Sequence, residues 1–499
     1  ELRTGLTAMS GRYGVPRHPR PWAHRLSWQD NRIRLTNLNL PTESADRPNW
    51  HRRESCIRIV IGFHVGYIWR LRRCGQNQRL TATVTQLSSR FLLTYRLPES
   101  VMGKRLRVAA IITIYHPKSH ADVIVTKFLK GASIDEGRYV FDDLEIVSIY
   151  LDHALENDIG LGLAEQFGVP VYPSIRRALH AGSNELNVDA VLLVGEHGDY
   201  PSNERGRHMY PRRYFFEQIA GVFSESGRSV PVFNDKHLAY SFADAQWMWE
   251  RAAELKIPLM AGSSLPLCWR HPWLEYDKGS VELVEALAIS YGSIEAYGYH
   301  ALETMQCMVE RRRGGETGVV SVQCLEGDEV WRSRDRGEWS GDLAAAALAV
   351  SEHKSSDNPE DCKEPAVFLI RYADGLRGTV LHLGGIVQEF AYAARHADGH
   401  IDGVEFYLQN EGPFAHFGYL CRNVEQFFQS GVAPYPPHRT LLTTGIIDAV
   451  MNSRHEDHRV MDTTQDLQIC YESYDQMPFR PRGERPVGAS IDPAAADIV

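Results

Sequence analysis

From Leu106 the chain alternates short apolar runs with longer amphipathic stretches. RVAAIITIY (107–115) is apolar and β-branched, the pattern of a strand buried on both faces of a parallel sheet. A polar turn, HPKSHAD, follows it, and VIVTKFLKG reads as a helix stopped by Gly131. The same rhythm repeats with strands at 145–151, 169–172, 188–195, VPVFN and 257–263. Between them lie amphipathic helices at 156–168, SIRRALH, YPRRYFFEQIAGVFSESG and SFADAQWMWERAAELK. This alternation predicts an α/β domain over 102–263, a Rossmann-like doubly wound parallel sheet.

After Ser264 the rhythm breaks. A strand at 283–292 leads into the helix AYGYHALETMQCMVERR, then a strand GVVSVQCLEG and a polar stretch through 363. Runs at 366–375 and 376–385 meet at Asp374-Gly375, a hairpin signal. FAHFGYLCRNVEQFFQSG and the segment 440–455 read as helices. The pattern predicts an α+β domain over 264–476 with a mostly antiparallel sheet. The Pro-, Ala- and Asp-rich segment 477–499 reads as a disordered tail.

Charge changes the picture at one end. Residues 1–101 hold 17 Arg, no Lys and 6 acidic residues, 17 − 6 = +11, which leaves (54 − 17) − (63 − 6) = −20 for the rest. An arginine-only basic segment without sustained periodicity is expected to be upstream sequence from an early start, or a disordered extension. Nucleic acid is therefore not expected as a partner. Eight scattered cysteines without a C-x-x-C pair favour a reducing, cytoplasmic setting and argue against a cysteine zinc site. No apolar run reaches the roughly 20 residues of a membrane helix.

The candidate chemistry lies at the carboxyl ends of the strands, where doubly wound sheets bind ligands. Strand one ends at Tyr115-His116-Pro117-Lys118-Ser119-His120, and strand two at Asp152-His153. Strand four ends at Glu196-His197-Gly198-Asp199, and strand five at Asn234-Asp235-Lys236-His237. Four polar clusters on one edge predict a ligand site there. Trp269, Arg270, His271 and Trp273, just past the last strand, are candidates for a substrate cleft or for domain packing.

The succession GVPVYPSIRRAL, VDAVLLVGEHGDYP and VPVFNDKHLAYSFADAQWMWERAAELKIPLMAGSS is similar to the amino-terminal domain of Gfo/Idh/MocA oxidoreductases. Asn234-Asp235-Lys236-His237 stands where that family carries E-K-P. Tyr297-Gly298-Tyr299-His300-Ala301-Leu302-Glu303 resembles its G-x-H-x-x-D helix start. The resemblance covers about 102–475. It implies Lys236, His300 and Glu303 as catalytic residues, and a homo-oligomer. It further implies a nicotinamide cofactor, NAD or NADP, for which the strand-end residues His116, Lys118, Ser119, Asp152, Glu196, His197 and Asp235 are the candidate contacts, Lys118 and Ser119 holding phosphate by charge and hydroxyl in place of glycines. His237, Trp269, Arg270 and His271 would then face the substrate. Two departures stand out. The turn after strand one has no G-x-G-x-x-G, Gly160-Leu-Gly162 being only a partial match inside a predicted helix. The family aspartate before the histidine is replaced by Ala296, with Glu295 one residue off.

Two functions follow. One is an oxidoreductase acting on a sugar, polyol or other small hydroxylated molecule. The other is a hydrolase, lyase or isomerase in the same cleft, either cofactor-free or using a divalent metal bound by residues such as His116, Asp152, His153, His197, Asp199 and His237. A ligand-binding relative without turnover is the third possibility.

Overall fold

A computed structural model describes strands between 56 and 96, and residues 104–134, 137–409 and 414–483. The chain divides into two compact units, 1–101 and 102–499. In the first, strands Cys56–Ile59, Tyr67–Cys74, Arg79–Gln86 and Ser89–Arg96 form an antiparallel sheet in chain order. The alternation of threonine with apolar residues in RLTATVTQ suits such a pleat. Residues 1–55, part of the expected extension, lie outside the described residues.

The second unit opens with five parallel strands: β1 (Leu106–Ile112), β2 (Leu144–Leu151), β3 (Ala190–Val194), β4 (Val232–Asp235) and β5 (Leu259–Gly262). Helices α1 (His120–Lys130), α2 (Gly160–Phe167), α3 (Ile175–His180), α4 (Arg212–Ser226) and α5 (Phe242–Glu254) connect them. The sheet order is β5-β4-β3-β1-β2. The strand expected at 169–172 survives only as a bridge from Val171 to Ile149. Pro170 has no N–H to extend the ladder there. The order reverses between β1 and β3, which opens a crevice at their carboxyl ends. Beneath it, Val108–Ile112 and Ala190–Val194 are wholly inaccessible, as expected of strands covered on both faces.

The other half is an eight-stranded sheet: β6 (Trp269–His271), β7 (Leu283–Ser290), β8 (Val319–Glu326), β9 (Ala366–Tyr372), β10 (Arg377–His382), β11 (Phe390–His396), β12 (Ile401–Tyr407) and β13 (Met461–Asp462). Its order is β6-β12-β11-β7-β10-β9-β8-β13, antiparallel except for β7 beside β10. The β9–β10 hairpin turns at Asp374-Gly375 as expected, with Gly375 at φ +93. Helix α6 (Ala296–Val309) covers one face. Helices α7 (Asp328–Asp335) and α8 (Gly341–Val350) form within the stretch read as polar. Helix α8 does so because Ser340 caps an alanine-rich run that lays Leu343, Ala344, Ala347 and Leu348 on the sheet.

Two helices bring the halves together. Helix α9 (Ala415–Ser430) packs against α1, and α10 (His438–His455) packs against both α5 and α6. The start of α6 is thereby held over the strand ends of the parallel sheet. The first residues of the expected tail are packed: Met477 is fully buried and Arg480 pairs with Glu275. Among the described residues no helix is long and apolar enough to cross a membrane.

Candidate active site

The crevice is built from three strand ends. After β1, Thr113 Oγ1 donates to the Glu196 carbonyl at 2.7 Å, tying the β1 turn to that of β3. Ser119 caps α1 by accepting the Asp122 N–H, and His120 is the first residue of the helix. The His120 Nδ1 lies 2.6 Å from Asp235 Oδ2 at the end of β4, both groups buried. His197, from the turn after β3, sets its ring edge-on to His120 at 5.2 Å and stacks on His116 at 5.7 Å. Phe417 of α9 closes the other side of His120 at 5.3 Å.

A charged group lies beside these rings. Lys236 Nζ donates to Glu196 Oε1 at 2.9 Å, and Arg212 at the start of α4 donates to Glu196 Oε2. Burial pushes the Glu196 carboxyl up, but the two cations overcome this and hold it well below the usual range. Arg212 Nη1 also lies 3.0 Å from His237 Nε2. Burial and the neighbouring arginines push His237 well below the imidazole range, so its Nε2 accepts that bond as a neutral ring.

The second half contributes His300, on the first turn of α6. Its Nδ1 lies 2.7 Å from Ser263 Oγ, just past β5. Burial, with the charge of Lys236 close by, pushes His300 well below its ordinary value. His197 is lowered to about 4, chiefly by burial. The crevice thus combines neutral imidazoles with an ion-paired lysine. Lys118, His197 and Lys236 all adopt left-handed backbone, at φ 66, 65 and 58. That conformation costs a non-glycine residue roughly 1–2 kcal/mol, and it clusters where function requires it.

Of the residues expected here, His116, Glu196, His197, Asp235, Lys236 and His300 come together, with His237 buried in the wall behind Arg212 and Tyr299. The others are placed differently. Ser119 is spent on the α1 cap and is wholly inaccessible. Lys118 is exposed, and its N–H is taken by Asp122 Oδ2 at 2.8 Å. Asp152 accepts from Tyr150 at 2.5 Å and from Tyr200 at 2.7 Å. Glu303 is buried against α10, where Thr443 donates to Oε1 at 2.7 Å. Gly262 faces it because a Cβ there would lie 2.9 Å from Thr440 Oγ1 and 3.2 Å from Glu303 Oε2. Arg270 is fully buried, bonding the Leu274 carbonyl and lying over Phe406, and Trp269 is buried in the core beside it. His271 sits 3.5 Å from Glu352 at the sheet edge. Glu295 is held by Arg207 at 2.6 Å.

The β1–α1 turn does not fit a dinucleotide pyrophosphate. The amides that would receive it already serve Ser119 and Asp122, and the Asp122 carboxylate puts negative charge at the helix start. The buried Tyr115 ring packs so tightly on Gly160 that a Cβ there would lie 2.6 Å from it. Close packing thus accounts for Gly160 in the partial glycine match. Nor, among the described residues, is any set of three or more His, Cys, Asp or Glu arranged to hold a metal ion.

Sequence reasoning placed His120 in the polar cluster that ends strand one without giving it a role, and passed over Arg212, Ser263 and Phe417. A signal existed for His120: a Ser directly before it, at a strand-to-helix turn, marks the first turn of a helix aimed at the crevice. Arg212, Ser263 and Phe417 have no local signal, because only tertiary packing brings them to the site.

No family model and no curated protein matches this chain. Solved structures do match it in fold. GenD2 from gentamicin A biosynthesis, in complex with NAD, is 16% identical with a TM-score of 0.46, covering 73% of this chain and 99% of that one. Myo-inositol 2-dehydrogenase from Lactobacillus plantarum is 12% identical with a TM-score of 0.45, covering 72% and 99%. Scyllo-inositol dehydrogenase from Lactobacillus casei, with bound NAD(H) and scyllo-inositol, is 9% identical with a TM-score of 0.45, covering 72% and 100%. These structures are Gfo/Idh/MocA-type oxidoreductases, and at such identities the likeness is one of fold.

Proposed function

We propose that the crevice is the active site of an oxidoreductase-like enzyme that moves a proton on and off a small hydroxylated molecule such as a sugar or polyol. The observation that carries this is the meeting of His300 from α6 with the Lys236–Glu196 pair at the strand ends. Lys236, ion-paired with Glu196, donates to a substrate oxygen and stabilises the alkoxide as the proton leaves. His300, kept neutral, has a ring nitrogen beyond the one facing Ser263 and accepts that proton. The charges of Lys236 and Arg212 balance those of Glu196 and Asp235, which suits an uncharged ligand.

A second reading, proton transfer alone as in isomerisation or elimination, is favoured by the filled turn after β1. One experiment separates the two. The full chain is incubated with inositols, aldoses and ketoses, with and without NAD or NADP, while substrate loss is followed. Turnover that requires nucleotide supports oxidation, and turnover without it supports the second reading. No turnover of any compound under either condition contradicts both.

A further inference from the structure

Alcohol oxidation needs one acid–base group, at the hydroxyl, whereas isomerisation and elimination need a second, at carbon. The structure holds such a group apart from Lys236 and His300. His120 has its Nδ1 fixed at 2.6 Å from the buried Asp235 carboxylate, which leaves Nε2 as the nitrogen available for exchange. A carboxylate on Nδ1 sets the tautomer and stabilises the imidazolium that forms when Nε2 takes a proton.

The rings beyond it continue outward. His197 meets His120 edge-on, and its own Nδ1 is buried with no hydrogen-bond partner. A buried imidazole nitrogen left open is costly unless something transient satisfies it. His197 stacks in turn on His116, which is half-buried and bonds the Pro117 carbonyl through Nδ1 at 2.9 Å. Asp235, His120, His197 and His116 therefore run in file from the interior toward solvent. Phe417 flanks the inner end.

We propose that His120, positioned by Asp235, is a second acid–base group of the crevice, and that His197 and His116 carry its proton to and from solvent. Its assignment as a second base rests on the proton-transfer function above. The proton leaves a substrate C–H or O–H, and its bonding pair stays on the substrate. Nε2 of His120 gains the proton and passes it through water to His197, to His116 and to solvent in turn, returning His120 to the neutral ring. Nothing is oxidised in this step.

The test needs no substrate, so it stays readable even if no sugar or polyol is turned over. The full chain is labelled with 15N-histidine, and the His120 imidazole is followed by NMR. The expected result is a protonated, downfield-shifted Nδ1 that loses its shift in Asp235→Asn and keeps it in His300→Gln. His197→Phe and His116→Phe are each expected to slow exchange of the His120 ring proton with water at least tenfold, without moving its shift. A wild-type His120 protonated only at Nε2 would overturn the dyad, which keeps the test decisive even if Asp235→Asn fails to fold. Unchanged exchange in both phenylalanine variants would overturn the relay. Turnover, once a substrate is found, supplies a separate readout: His120→Gln is expected to shift the pH profile as well as lower the rate.

Discussion

Two buried polar clusters in this molecule look alike in composition and differ in what is left open. In the second half, Glu310 accepts from Arg439 Nε at 2.9 Å and Nη2 at 2.7 Å, from Ser473 at 2.8 Å and from Tyr471 at 2.9 Å. Both carboxylate oxygens are filled by rigid neighbours that join α6, α10 and the carboxy-terminal segment. In the crevice, Glu196 is also held by two cations, yet beside it His197 and His237 each keep a buried Nδ1 without a hydrogen-bond partner, and His197 and Lys236 lie on left-handed backbone. A buried carboxylate filled on both oxygens by rigid neighbours fixes structure, and one set beside neutral rings with open nitrogens is prepared for a ligand.

The sharpest way to break this contrast is to remove the centre of the Glu310 cluster. Glu310→Ala leaves Arg439 buried without its carboxylate and is expected to lower stability by about 3–5 kcal/mol in urea unfolding. Lys236→Met is expected to cost less stability, because Arg212 still holds Glu196, and to lower turnover by about 10²–10⁴-fold. Equal losses of stability in the two variants would erase the distinction.

Acid supplies the next effect. Burial holds His197 at about 4, whereas the unfolded chain binds a proton on that ring near 6.5. The unfolded state therefore binds more protons between those values. The stabilising contribution is complete above about pH 6.5, declines as pH falls, and is gone below about 4. His197→Gln is expected to remove about 3 kcal/mol of that decline, read as a flatter dependence of unfolding midpoint on pH. The smallest effect belongs to Ser263→Ala, which removes the bond to His300 Nδ1 at a cost of about 1 kcal/mol. It should lower the rate more than the stability.

Periodicity made the parallel half legible. Apolar runs at 107–115, 145–151, 188–195 and 257–263 became β1, β2, β3 and β5, each end within three residues of the expected one, because strands buried on both faces must be continuously apolar. In the second half, β11 and β12 carry alanine, glycine and charge within short spans, and they gain strand character only from their neighbours in the sheet. The site divides in the same manner. Strand-end position located His197, Lys236 and Asp235, and only the family resemblance of Tyr297–Glu303 pointed to His300. Whether a polar residue faces the crevice or serves a cap depends on pairings invisible in one dimension. Ser119 went to Asp122, and Asp152 to two tyrosines.

The most direct test is consumption of the sugar and polyol panel by wild type and His300→Gln, with NAD and NADP present throughout. The account predicts that at least one compound is turned over and that the variant is about 10²–10⁴-fold slower while remaining folded. Turnover at the wild-type rate in His300→Gln would contradict it.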